Sequence, residues 1–301
     1  LSTHNERAGL LWVLAGFSTL AIGDAIVKGM PGEWPATAMA ATRYVLAAIG
    51  LSAILVAREG WGALRMPRPG TQFLRGLGVS LGSVGMFAAV WVMPLSEAIT
   101  ISFTQPMITA LLAALVLREP AKPSAWIATL VAFCGVVIVL RPNFDSAGWG
   151  AFLPLLSAFG MAMLMTANRS VVGHASIWAM QAYMAITATV ILLILTVAGH
   201  FSGLPQLVLH WPHWSVVARM AFIAVSASFA QWFIYMGTVK AGAGNVAPMT
   251  YGQLLMAILL GWIFFHEVPD LIALLGAAII VGAGLFLWWD SRRRALKPAA
   301  D

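Results

Sequence analysis

Ser102-Phe103-Thr104-Gln105-Pro106, followed by Leu117-Arg118-Glu119, returns 148 positions later as Thr250-Tyr251-Gly252-Gln253-Leu254, followed by Phe265-His266-Glu267. Each copy sits in one apolar stretch, and five such stretches fill each half of the chain. A unit that crosses a bilayer an odd number of times must reappear upside down. Inverted repeats around a central site are an architecture of secondary transporters, so the repeat predicts a carrier.

Composition places the chain in a membrane before any motif is read. Hydrophobic residues make up 60% of the sequence and charged residues 9%, with a mean hydropathy of +0.87. That balance excludes an ordinary water-soluble protein. The apolar stretches run to roughly 20 residues, the length of a spanning helix, whereas an outer-membrane barrel is built from strands of roughly 10 alternating residues. The net charge of +6 comes from short connections and from Arg292-Arg293-Arg294 and Lys297. It reports topology, not nucleic-acid binding. The single cysteine, Cys134, excludes an intrachain disulfide or a thiolate metal cage and reads as helix packing.

Hydropathy with Pro, Gly and charge punctuation predicts an all-α membrane protein with ten spans: 9–28, 36–57, 73–93, 97–117, 123–140, 148–168, 175–198, 214–239, 244–265 and 269–289. The first is long enough to span, so it reads as a membrane helix and not a cleaved signal. The expected units are a first five-helix repeat over 1–145, a second, inverted one over 146–290 and a basic tail over 291–301. Counting Lys and Arg by side puts thirteen inside and only Lys28 and Arg141 outside when both termini are cytoplasmic, with Arg43 and Arg219 within spans.

The strongest functional candidates crowd the fourth and ninth spans. Thr100, Ser102, Thr104, Gln105 and Thr109 lie on one, and Asn245, Thr250, Tyr251 and Gln253 on the other. Lipid offers such groups no partners, so they are expected to face inward. The plainer reading is interhelical bonding, worth roughly 0.6 to 2 kcal/mol per contact. The repeat-related Gln105 and Gln253 favour a polar cavity wall instead. Pro106 and Pro248 remove helix hydrogen bonds in the same spans and could free carbonyls toward a substrate.

Aromatic residues supply a second set: Phe87, Trp91, Phe103, Trp232, Tyr235 and Tyr251, in which Phe87 pairs with Tyr235 and Phe103 with Tyr251 under the same offset. Their faces can hold an apolar ring or an ammonium group. A third set is charged. Asp24 and Lys28 are spaced i, i+4 near the outer end of the first span, and Arg43 needs an acceptor, for which Asp24 is the first candidate. Asp24, Lys28 and Arg43 are therefore charge-pair or coupling candidates. Arg219 is expected to snorkel outward.

Gly76, Gly78, Gly82 and Gly85 flatten one side of the third span for close packing. Gly78-Val79-Ser80-Leu81-Gly82 matches a hydrolase elbow in letters only, since that motif needs a strand-to-helix turn. His210-Trp211-Pro212-His213 offers two metal ligands without a third. No nucleotide or calcium fingerprint is present, so no cofactor, metal site or catalytic residue is expected.

Trp34-Pro35-Ala36 leading to Arg43-Tyr44, Gln105-Pro106 before Leu117-Arg118-Glu119, and a glycine-bearing helix closing on Leu140-Arg141-Pro142 resemble the drug/metabolite transporter superfamily, EamA type. The resemblance covers nearly the whole chain in two copies and is greatest toward the YddG aromatic amino-acid exporters of bacterial inner membranes. It implies ten helices in two inverted halves, a cavity lined by spans 1 to 4 and 6 to 9, and export by alternating access. The second copy departs from the pattern, with Gln253-Leu254 in place of Gln105-Pro106 and Ala182-Tyr183 in place of Arg43-Tyr44.

The reading that follows is a carrier exporting apolar and aromatic amino acids. Gln105, Gln253, Tyr251 and Asn245 would supply hydrogen bonds, and Phe87, Trp91, Phe103, Trp232 and Tyr235 the apolar wall. Its partners are the substrate and the bilayer, with no nucleic acid; the scaffold also admits a homo-oligomer. Efflux of drugs, nucleobases or other metabolites is the alternative on the same scaffold. An intramembrane enzyme is disfavoured, because the spans lack clustered titratable groups.

Overall fold

The computed structural model describes residues 3–116, 123–171, 175–241 and 247–295. For residues 3–7, 125, 140–147, 169, 238, 239, 241, 247, 248, 291, 292, 294 and 295 it describes backbone alone. The described chain is helical: α1 (Thr3–Lys28), α2 (Ala36–Glu59), α3 (Pro69–Val92), α4 (Leu95–Ser102), α5 (Gln105–Val116), α6 (Pro123–Ala147), α7 (Leu153–Arg169), α8 (Ile177–His200), α9 (Trp214–Ala241), α10 (Gly252–Phe265) and α11 (Leu271–Ala295). Short 3₁₀ turns cover Trp61–Leu64, Gly148–Phe152, Pro205–Leu207 and Ala247–Tyr251.

Local chemistry sets several boundaries. Pro69 opens α3, where its missing N–H is no loss. Ser176 caps α8 by accepting from the Ala179 N–H at 3.1 Å. Gly60, at φ +82°, closes α2 in a conformation that side chains disfavour. Because α3 begins at Pro69 and not at residue 73, Gln72 lies within the helix one turn before Arg75, and both are buried. α6 likewise runs on to Ala147, beyond the stop expected at residue 140.

Among the described residues, eight helical segments are long and apolar enough to cross a membrane, and Trp126–Val139 and Met249–Phe265 are shorter apolar helices. This is a multi-span membrane protein. The fourth span, Leu95–Val116, is one crossing interrupted at Phe103-Thr104. Pro106 cannot donate to the Ser102 carbonyl, and the chain tightens there, with the Thr104 N–H bonding the Ile101 carbonyl. At the repeat-related position in the second half, a 3₁₀ turn over Ala247–Tyr251 hands over to α10.

Helices of the first half pack on helices of the second: α1 on α9, α3 on α7 and α8, α2 on α8 and α6 on α11. Small residues allow this. A Cβ placed on Gly160 of α7 would lie 2.5 Å from the Gly78 carbonyl oxygen of α3, and one on Gly78 would lie 2.6 Å from the Gly160 oxygen. Gly237 meets Gly9 and Val13, and Gly135 meets Gly276 and Ile280, in the same way. Backbone touches backbone at these crossings, as in small-xxx-small membrane helix pairs. Cys134 is exposed on the outer face of α6, which corrects its reading as a packing residue.

Gly160→Ala should lower detergent stability by about 1–3 kcal/mol, because neither backbone can retreat. Gly50→Ala, where nothing lies within 4 Å, should be neutral or mildly stabilising. Thermal unfolding followed by size-exclusion chromatography compares the two.

Candidate functional site

One end of the bundle is tied by a network centred on Lys28. Its Nζ lies 2.7 Å from Glu267 Oε1 and donates to the carbonyls of Val90 at 2.8 Å and Met93 at 2.9 Å. The Leu95 N–H donates to the second carboxylate oxygen at 3.0 Å. The cation thus satisfies carbonyls left open where α3 ends, and the carboxylate an amide left open where α4 begins. Trp91 adds a bond from its indole N–H to the Val27 carbonyl at 2.8 Å. Glu267 reaches the network because His266 turns the chain at φ +56° and the Glu267 N–H bonds back to the Gly261 carbonyl. Lys28 therefore pairs with Glu267 and not with Asp24.

The same end holds a fork between Arg219 and Glu33, at 3.1 and 2.6 Å. Arg219 is thus paired, where the sequence suggested a snorkelling side chain. His210 contacts the Glu33 carbonyl and His213 contacts Ser215, so the two rings are engaged separately. At the opposite end, Arg75 is buried and donates to Asn168 Oδ1 at 2.6 Å, Gln72 Oε1 at 2.5 Å and the Met180 carbonyl at 3.0 Å. That node joins α3, α7 and α8. Arg68 donates to the Ser170 carbonyl nearby.

Between the two ends lies a polar and aromatic group. Gln253 of α10 donates to Asp24 Oδ2 of α1 at 3.2 Å. Arg43 of α2 lies within electrostatic reach of Asp24 but forms no ion-pair contact with it. Its guanidinium instead sits over the rings of Tyr44 and Phe87, at 5.3 and 5.8 Å from their centroids. Phe87 is only 1% exposed, and Tyr44 is fixed by a 3.2 Å bond between its hydroxyl and that of Ser83. Asp24 is four residues before Lys28, so this group lies one helical turn, about 5–6 Å, from the Lys28–Glu267 network.

The remaining candidates fall in different places. Phe103 and Tyr251 meet edge to face at 5.1 Å, on the two interrupted spans. The Tyr251 hydroxyl reaches α11, where a Cβ on Gly284 would collide with it. Gln105 is half-buried at the break. Trp232 packs against Trp12 of α1 and is 43% exposed, and Tyr235 is 45% exposed, on the strip of α9 that carries Ser228 and Gln231. Among the described residues no ring contact joins either to Phe87. Asn245, Arg118 and Glu119 lie outside the described residues. The hydroxyls of Thr100, Ser102, Thr104 and Thr109 bond carbonyls of their own helical turns, which removes the need for outside partners. Ser80 does the same with Gly76, as an ordinary helix serine.

Sequence reasoning passed over Glu97, 8% exposed at the start of α4, and the Arg75 node. A carboxylate opening an apolar span was a usable signal for the first, and Pro69 as a helix start for the second. Glu97 lines a crevice of about 10 Å³ against α10 and α11, room for one water at most. A larger cavity, about 430 Å³, opens beside Glu59, Arg65, Ser176 and Tyr183, away from the Asp24 group. Volume and chemistry disagree, and the convergence of charge, amide and rings singles out the latter. Among the described residues no three His, Cys, Asp or Glu side chains gather as a metal cage.

The sequence pattern of the EamA-like transporter family matches twice, over residues 7–141 and 148–289. The chain belongs to that family. This EamA-family chain is 31% identical to a protein named riboflavin transporter of Rhizobium johnstonii over 306 residues, covering 99% of this chain and 97% of that one. It is 27% identical to an S-adenosylmethionine uptake transporter of Rickettsia prowazekii, covering 95% and 94%. A riboflavin transporter of Vibrio cholerae is 28% identical, covering 96% of each. These names support the family and not the finer resemblance, since none of the three is that of a YddG aromatic amino-acid exporter. A solved structure with 20% identity aligns over 98% of this chain and 99% of its own at a TM-score of 0.58, a likeness of fold.

Lys28→Met should cost about 1–3 kcal/mol, by taking the cation from the partly buried Glu267 carboxylate and from two carbonyls. Adding Glu267→Leu should recover part of that loss. A double-mutant cycle on detergent melting measures the coupling.

Proposed function

We propose that the chain carries a small, ring-bearing metabolite across a bacterial cytoplasmic membrane by alternating access. The passage runs between two inverted five-helix units, residues 1–145 and 146–290, with both termini in the cytoplasm. The observation that carries this reading is the bond from Gln253 to Asp24, which joins the two halves beside Arg43 and Phe87. It lies just under the Lys28–Glu267 network, so the substrate group and the outer closure share α1 and the chain leaving α10.

Helix pairing supports the inverted arrangement. α1 on α9 is matched by α7 on α3, α1 on α10 by α7 on α5, and α2 on α9 by α8 on α3, while α2 with α8 and α6 with α11 are their own counterparts. Interruptions at Phe103-Thr104 and at Tyr251 fall at equivalent positions, as expected where broken helices line a site. The halves also meet at both ends: Trp34 donates to the His210 carbonyl between two connections at one end, and Tyr183 of α8 to the Ala63 and Arg65 carbonyls of the connection after α2 at the other. The topology drawn from the positive-inside count puts these contacts on the outer and inner faces.

Rings and hydrogen-bonding groups suit several metabolites. The relatives' names point to riboflavin or S-adenosylmethionine taken up, and the aromatic wall also suits the amino-acid export that the sequence suggested. Purified chain in liposomes should move at least one of labelled riboflavin, S-adenosylmethionine or phenylalanine faster than empty vesicles. Gln253→Leu should lower that rate about tenfold or more without loss of monodispersity. If none of the three moves and none shows counterflow, the carrier reading for ring-bearing metabolites fails.

A further inference from the structure

Three arginines within spans can be compared directly. Arg219 is held by a two-pronged bond to Glu33. Arg75 donates to a carboxamide on either side and to a backbone carbonyl. Arg43 has no hydrogen-bond acceptor among the described residues; ring faces alone hold it, and these leave the in-plane N–H groups unused. A guanidinium in a span without acceptors is costly unless something else supplies them.

Asp24 is the complement. One of its oxygens takes the Gln253 amide at 3.2 Å, and no cation stands in ion-pair contact with it among the described residues. Opposite charges in a low-dielectric interior attract strongly and would be expected to close on each other. Here each is held back by its own support: the guanidinium by its place over Phe87 and Tyr44, the carboxylate by the amide from α10. Lys28, one turn along α1, is committed to Glu267. Both Asp24 and Arg43 are half-buried, so each retains surface that a ligand can reach.

We propose that Arg43 and Asp24 form a divided receptor for a zwitterionic head, in which Arg43 takes a carboxylate and Asp24 takes an ammonium, while the buried rings of Phe87 and Tyr44 seat the guanidinium. This rests on the carrier reading and narrows its substrate class. An α-amino acid has these parts. So does S-adenosylmethionine, whose amino-acid head is joined to a heteroaromatic body. Riboflavin, which lacks both an ammonium and a carboxylate, lacks the head that the pair selects.

Binding to the full chain in detergent, read by titration calorimetry, tests the division with three probes of one body: phenylalanine, phenethylamine and 3-phenylpropionate. Arg43→Gln should weaken phenylalanine and 3-phenylpropionate roughly 10- to 100-fold, the range of a lost charge-assisted hydrogen bond, and leave phenethylamine unchanged. Asp24→Asn should weaken phenylalanine and phenethylamine and leave 3-phenylpropionate unchanged. Arg43→Lys keeps the charge and guards against misfolding; it should show the same selectivity with a smaller loss. Equal losses for all three probes, or wild-type chain that binds neither phenylalanine nor S-adenosylmethionine, would overturn the proposal. Riboflavin flux in liposomes under that last outcome would leave the carrier reading standing, so the two failures are distinguishable.

Discussion

A polar group inside a membrane span has no water to bond with, and the ways in which this chain meets that constraint sort its residues by role. Hydroxyls on the interrupted fourth span turn back onto their own carbonyls and ask nothing of their neighbours. Arg75 and Arg219 are surrounded by acceptors and act as clamps. The pair that is neither self-satisfied nor clamped, Arg43 with Asp24, sits where both halves of the chain meet. Polarity in a span marks a site only after these local solutions have been subtracted.

The Lys28–Glu267 network and the Asp24–Gln253 contact are mechanically linked. Lys28 and Asp24 stand on one face of α1, and both Glu267 and Gln253 come from the ninth span and the connection after it. A shift of α1 against that span disturbs both contacts together. Tight glycine crossings make such a shift a movement of packed helix pairs, since backbones in contact slide more readily than they deform. The Lys28–Glu267 network gathers the open carbonyls of α3 and the open amide of α4 as well, so breaking it requires four segments to exchange partners at once.

Relatives named for riboflavin and for S-adenosylmethionine share this scaffold at similar identity. Their cargoes differ in charge and agree in carrying a ring system. The family therefore fixes the kind of movement, while the cargo is set by a few side chains in the cleft. In the proposed receptor, Arg43 and Asp24 separate cargoes by charge.

Composition and span length determined the membrane class, because hydropathy and helix length act locally along the chain, and short motifs carried the resemblance to the family. The sequence also marked Asp24, Arg43, Phe87 and Gln253 as candidates, since a charge, an amide or a buried ring is conspicuous among apolar residues. Partner choice was not legible. Lys28 had Asp24 one turn away and took Glu267 instead, because the ends of α3 and α4 offered open backbone groups that only the folded bundle brings together. Trp232 read as a cavity residue and packs on Trp12, since which face of α9 meets α1 is decided by where Gly16 and Gly237 let the backbones touch. Contacts between helices depend on crossing geometry, and that belongs to the tertiary structure alone.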